Sequence, residues 1–265
     1  MIEILTGDFR DLGRDLADDS VDLVLTDPPY SKEFLPLWND LGRVAARVLK
    51  PSKFLIGYTG QQWLDEVIAM LGQHLIWYWQ IILLLPGGKS RMNARAMYQE
   101  WKPILVYSKT PIKRVRNWGP DIIVSPAASK SHHKWGQSLG PVKELVERFT
   151  EPGDLVLDPF VGGGTTAVAC AQTNRRFIGY EIEPDEAEKS RRRVARERLF
   201  TPQHEPVQLS IGTIGLPRCK FCGTILEGNG GPGRKREYCN DACRQAAYRN
   251  RRVRMLRYAT LGPQP

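Results

Sequence analysis

Cysteine is scarce over most of this chain: of five in 265 residues, four crowd into 219–243 and Cys170 stands alone in an apolar stretch. A disulfide scaffold would spread its cysteines and belong to an oxidising compartment, so this distribution points away from one. Cys170 reads instead as a small core hydrophobe. Long apolar runs are missing too. Nothing approaches the roughly 20 consecutive apolar residues of a membrane span. The start, Met1-Ile2-Glu3-Ile4, lacks the basic segment and apolar run of a secretory signal. A soluble, cytoplasmic protein without a membrane partner is the expectation. Acidic residues thin out towards the end: residues 211–265 hold 3 against 11 basic ones, while residues 1–210 hold 26 against 27. Nearly all of the net charge of +9 therefore lies in the tail. Such a concentration suits a polyanionic partner, or a solvated surface. Internal repeats and low-complexity arrays are absent.

The length and the 42% hydrophobic content suffice for one sizeable domain with a small appendage. Short strand-like runs at 2–6, 21–26, 54–58, 79–85, 104–107, 155–157 and 177–180 alternate with helical patterns at 34–49, 61–71, 139–149, 165–171 and 184–199. Pro51 closes the first of these helices, and Pro184 with Asp185 and Glu186 opens the last. This alternation predicts an α/β fold with a mainly parallel sheet covered on both faces. The domain spans 1–200. Residues 201–217, broken by Pro202, Pro206, Gly212, Gly215 and Pro217, read as a linker. A basic module over 218–258 and a flexible end over 259–265 follow.

Two blocks carry chemistry. In Leu155-Val156-Leu157-Asp158-Pro159-Phe160-Val161-Gly162-Gly163-Gly164-Thr165-Thr166 a buried strand ends in a carboxylate, turns on glycines and starts a helix. Glycine lets backbone approach a ligand closely, and a helix start presents unpaired N–H groups to an anion. A purely structural turn can look the same. About twenty residues on, a strand ends at Glu181, where a carboxylate can accept from both hydroxyls of a ribose or merely open a solvated helix. Asp8, after the first strand, is either a similar acceptor or a helix cap.

The second block is Asp27-Pro28-Pro29-Tyr30, at the end of strand 21–26. Two prolines hold the backbone extended and donate no N–H, so the turn projects carbonyls and flanking side chains rigidly. That suits an amine acceptor site. A ring-conjugated amino group is a poor nucleophile; hydrogen bonds accepted from it by the Asp27 carboxylate and the Pro28 carbonyl raise its electron density. Tyr30 can stack on a base swung out of a duplex. Pro-Pro as mere punctuation between strand and helix is the bland alternative.

The two blocks, with the first strand and the strand ending in Glu181, resemble the amino-methyltransferase family of DNA methylases in its beta-type order, catalytic block before cofactor block. Residues 1 to about 200 are covered. The resemblance implies a Rossmann-like, seven-stranded sheet and S-adenosyl-L-methionine as donor. It places Asp27, Pro28, Pro29 and Tyr30 at a base flipped out of double-stranded DNA. Asp8, Asp27, Asp158, Phe160, Gly162, Gly164, Thr165, Thr166 and Glu181 fall around the cofactor. Where members often carry His-Pro-Thr-x-Lys-Pro, this chain has His133-Lys134-Trp135-Gly136-Gln137-Ser138, so Gln137 and Ser138 are assigned to the cofactor's methionine end. Asp at the first position of the catalytic motif leans towards adenine N6; cytosine N4, or RNA, is the alternative. Carbon-5 methylation of cytosine needs a Cys nucleophile after Pro, and no Pro-Cys dipeptide occurs. A bacterial or phage-infected cell with nucleoid association is implied, and a homodimer stays open.

In the tail, Cys219-x-x-Cys222 and Cys239-x-x-x-Cys243, 16 residues apart, have the spacing of a structural four-thiolate zinc site. A helix with an arginine edge follows, with Arg244, Arg249, Arg251, Arg252 and Arg254 as candidate DNA contacts. A zinc-stabilised protein-contact surface is the other reading, as is a zinc-dependent DNA-binding protein whose methylase domain is vestigial.

Overall fold

The computed structural model describes residues 1–86, 90–92, 96–112, 119–125 and 138–200, with Glu237 and residues 243–245 of the tail. The chain divides into two compact units, Met1–Pro202 and Gln203–Pro265. In the second, Glu237 is exposed and residues 243–245 form a helical turn with Cys243 half-buried and Arg244 exposed. Cys219, Cys222, Cys239, Arg249, Arg251, Arg252 and Arg254 lie outside the described residues, as does Gln137. Among the described residues no group of three or more His, Cys, Asp or Glu gathers to hold a metal. No described helix is long and apolar enough to cross a membrane.

The first unit runs β1 (Ile2–Thr6), α1 (Phe9–Leu12), β2 (Val21–Thr26), α2 (Pro36–Val48), β3 (Leu49–Tyr58), α3 (Leu64–Gly72) and β4 (Ile76–Leu84). It continues through β5 (Ser90–Met92), β6 (Met97–Gln99), β7 (Trp101–Ser108), β8 (Ile122–Val124), α4 (Leu139–Phe149), β9 (Leu155–Asp158), α5 (Thr165–Gln172), β10 (Arg176–Glu181) and α6 (Pro184–Phe200). Two expectations are corrected. The sheet has eight strands rather than seven, in the order β1-β10-β9-β2-β3-β7-β4-β8, and it is mixed. β1, β10, β9, β2 and β3 run parallel, whereas β7 is antiparallel to both β3 and β4. The extra strand, β8, pairs over only three residues with β4, too short for any periodicity to reveal it. Pro51 does not stop a helix either: α2 passes directly into β3 at Leu49, and Pro51 lies within the strand's exposed opening stretch.

α2 buries Trp38, Leu41, Gly42, Ala45 and Val48, the stripe expected of a helix laid on a sheet. One apolar cluster joins α2 and α3 to one face; a second joins α4, α5 and the α6 residues Ala187 and Val194 to the other. α5 is buried from Thr165 through Cys170, and Cys170 is wholly inaccessible, as its apolar context predicts. Since β9 leads through α5 to β10 and β2 leads through α2 to β3, the chain leaves the β9–β2 pair in opposite directions. That divergence opens a crevice at the carboxyl ends of the strands.

Candidate active site at the carboxyl edge of the sheet

Because β1, β10, β9, β2 and β3 are parallel neighbours, their last residues share one edge. The residues following or ending these strands are, in spatial order, Asp8, Glu181, Asp158, Asp27 and Tyr58. β7 runs the other way, so its start returns to the same edge, where the Thr59 N–H donates to the Pro103 carbonyl at 3.1 Å. Parallel pairing thus assembles residues far apart in the chain.

The two sequence blocks meet through a hydrogen bond: the Thr26 hydroxyl donates to Asp158 Oδ1 at 2.7 Å, across 132 positions of sequence. The same oxygen accepts the Phe160 N–H at 3.1 Å, which ties the carboxylate to the turn it opens. Burial pushes the Asp158 carboxyl up to about 6 against the pull of Thr26, Thr166 and the Phe160 N–H, and the nearby Asp27 charge raises it further. Pro28 is buried, Pro29 exposed, and Asp27 half-buried. The Tyr30 hydroxyl donates to Asp27 Oδ1. Burial, with the Asp27 charge, holds the Tyr30 phenol well above its ordinary value, so it stays a neutral donor. Lys102 Nζ lies 5.1 Å from the centroid of the Tyr30 ring, and a Cβ on Gly60 would come within 3.3 Å of Tyr30 Cβ. The ring is thereby held from the β3 and β7 sides.

The glycine turn is built to expose backbone. Gly162 has φ +47 and nothing within 4 Å of where a Cβ would stand, so this side of the turn is open. Gly164, at φ +74, precedes α5 and leaves a Cβ only 3.1 Å from Ser190, so both its φ and its surroundings require glycine. The Gly162 N–H donates to Glu181 Oε2 at 2.8 Å and the Glu183 N–H to Oε1 at 3.0 Å. Glu181 is therefore pinned beside the turn before any ligand arrives. Asp8 caps α1, accepting the Arg10 N–H at 2.8 Å and an ion pair from the Arg10 guanidinium, which holds its carboxyl below the usual range. The helix cap, one of the two readings of Asp8, is thus present. Ser138 opens α4 and accepts a hydrogen bond at 3.0 Å from the hydroxyl of Ser125, just past β8. Thr165 and Thr166 are buried at the start of α5, and Phe160 packs on Phe9 with centroids 5.0 Å apart.

Several supporting residues escaped the sequence reading. Arg193 on α6 donates to the Gly163 carbonyl at 2.5 Å and to Thr165 Oγ1 at 3.0 Å, and Ser190 donates to the Gly162 carbonyl. Together they fasten the turn to α6. Gly179 has no room for a Cβ, which would meet Val161 at 2.3 Å and Phe177 at 2.6 Å. Apart from the Gly179–Phe177 approach, each acts on a partner distant in sequence and so leaves no local signal.

A sequence profile of the DNA methylase family matches residues 116–192. YubD of Escherichia coli (strain K12), a methylase in name, is 27% identical over 206 residues, 69% of this chain and 85% of its own length. The crystal structure of the M1.HpyAVI–SAM complex superposes with a TM-score of 0.62 at 26% identity, covering 73% of this chain and 99% of that one. The cytosine-N4-specific PvuII DNA methyltransferase shares the fold, with a TM-score of 0.63 at 17% identity over 75% of this chain and 91% of that one. These similarities support the DNA methylase family for this chain.

Proposed function

We propose that this chain transfers a methyl group from S-adenosylmethionine to the exocyclic amino group of a base flipped out of double-stranded DNA, adenine N6 being the favoured target. The observation that carries this reading is the Thr26–Asp158 hydrogen bond, which holds an amine-accepting turn beside a glycine turn that has the room and the carboxylate for a nucleoside. The residues fit the donor. Open space above Gly162 accepts a close approach, and Glu181, anchored by two backbone N–H groups, stands where ribose hydroxyls can reach it. When bound, the donor supplies an electrophilic methyl group on a cationic sulfur.

The protein's own part is to make a poor nucleophile competent. Asp27 accepts a hydrogen bond from the base's amino group, drawing its proton away and leaving electron density on nitrogen. Tyr30, hydrogen-bonded to Asp27 Oδ1, orients that carboxylate, so that the negative charge of Asp27 faces the amino group as it becomes cationic. A base stacking on the ring face covered by Lys102 takes the place of the ammonium group there.

The preference for adenine rests on Asp27 as the first residue of the catalytic motif. We assign the four cysteines 219, 222, 239 and 243 to a closed, structural zinc site, because four thiolates at this spacing match that ion's tetrahedral demand. The arginine-rich run from Arg244 to Arg254 then grips the duplex. Incubation with radiolabelled S-adenosylmethionine and DNA, followed by digestion to nucleosides, tests the reaction. Label on N6-methyladenine is expected; label on the cytosine amino group corrects the target, and DNA binding without label favours a binding module. Truncation after Ser210 tests the tail: undiminished DNA affinity and unchanged site choice would remove it from recognition.

A further inference from the structure

Tyr58 ends β3, one residue beyond Gly57, which is in register with Thr26 of the catalytic strand. The side chain is 2% exposed, and its hydroxyl is the one buried side-chain polar atom among the described residues that has no hydrogen-bond partner. Native proteins pair such groups almost without exception, so an orphan at a site edge calls for a ligand. Its surroundings indicate which. Asp27 from the β2 end, Asp158 from the β9 end and Glu144 from α4 all act on the phenol electrostatically, and burial with these three charges raises it far above its ordinary value. It is a neutral hydroxyl within electrostatic reach of three carboxylates.

Such surroundings favour a cationic donor at the hydroxyl over a neutral one. A base amino group is uncharged; the amino-acid end of S-adenosylmethionine carries an ammonium group. We propose that the Tyr58 hydroxyl oxygen accepts a hydrogen bond from that ammonium group and so positions the donor's amino-acid end between β9 and β2. This deepens the methyl-donor reading above and rests on it.

The test is Tyr58→Phe in the full chain, which keeps the ring and removes only the hydroxyl. Binding is measured by calorimetry with S-adenosylmethionine and with methylthioadenosine, which lacks the amino-acid end. The Kd for S-adenosylmethionine should rise roughly 3- to 10-fold, the loss expected for one hydrogen bond, while that for methylthioadenosine stays the same. The unliganded variant should unfold at the wild-type midpoint or above it, since no partner is orphaned. Equal weakening of both ligands, or no weakening of either, overturns the proposal. A lower midpoint overturns it by revealing a structural partner, and unchanged donor affinity with a raised KM for DNA assigns the hydroxyl to the base instead. Absence of S-adenosylmethionine binding by the wild-type chain is a separate result that fells the donor reading itself.

Discussion

Asp158→Asn should make the unliganded protein more stable, and increasingly so as pH rises. The carboxyl is 3% exposed and raised from 3.8 to about 6 by burial. A group whose pKa is raised on folding contributes stability fully present below its unfolded value and lost as pH climbs through the folded one. The wild type therefore loses about 3 kcal/mol between roughly pH 4 and pH 7 to this one side chain. Asparagine does not titrate, and its carbonyl can keep accepting from Thr26 and the Phe160 N–H, with the Thr166 hydroxyl free to turn and accept from the new amide. About half of the difference develops by pH 5, so the variant's advantage should grow by roughly 1–2 kcal/mol between pH 5 and pH 8. For a unit of about 200 residues, that is a widening of roughly 2–8 °C in Tm. Urea unfolding of both proteins at the two pH values, followed by circular dichroism, measures it. A gain independent of pH, or a variant less stable at pH 8, would refute the reasoning by showing that hydrogen bonds outweigh burial at this carboxylate.

Asp27→Ala should abolish methyl transfer while leaving S-adenosylmethionine affinity within a few-fold of wild type; calorimetry showing both lost would mean that Asp27 holds the donor instead. Gly179→Ala drives a methyl group into Val161 and Phe177 inside the sheet and should lower stability by about 1–3 kcal/mol, read from denaturant midpoints. At the opposite edge, Asp22 is buried, which pushes its carboxyl up. The Leu155 N–H and the ammonium groups of Lys50 and Lys53 outweigh burial and hold it below the usual range. Its contribution is thus present above about pH 4 and lost as pH falls through the lowered value. Asp22→Asn should weaken the protein at pH 7 by about 1–3 kcal/mol and flatten its acid unfolding, and an unchanged acid profile would count against the pairing.

Local pattern was enough for much of this molecule. The limits of β1, β2 and α4 coincide with the runs read from sequence: apolar spacing in β1 and α4 answers to one buried face, and β2 is a short, mostly apolar run buried along its whole length. Asp27-Pro28-Pro29-Tyr30 and the 158–166 turn were legible for a similar reason, since proline and glycine state their backbone conformations in their own chemistry. The tail's cysteine spacing and charge were equally plain, although the contacts of most of those residues lie outside the described structure. What sequence could not supply was adjacency. That β7 enters antiparallel between β3 and β4, and that β8 joins at three residues, depends on which edges pair in three dimensions. The same holds for the site: the Thr26 hydroxyl beside Asp158, Glu181 bound to the Gly162 N–H, Arg193 on the glycine turn and the unpartnered phenol of Tyr58 all arise from strand order. Residue chemistry determined what each block could do. Parallel strand pairing, by bringing carboxyl ends to one edge, decided that the blocks share a site and which groups surround them.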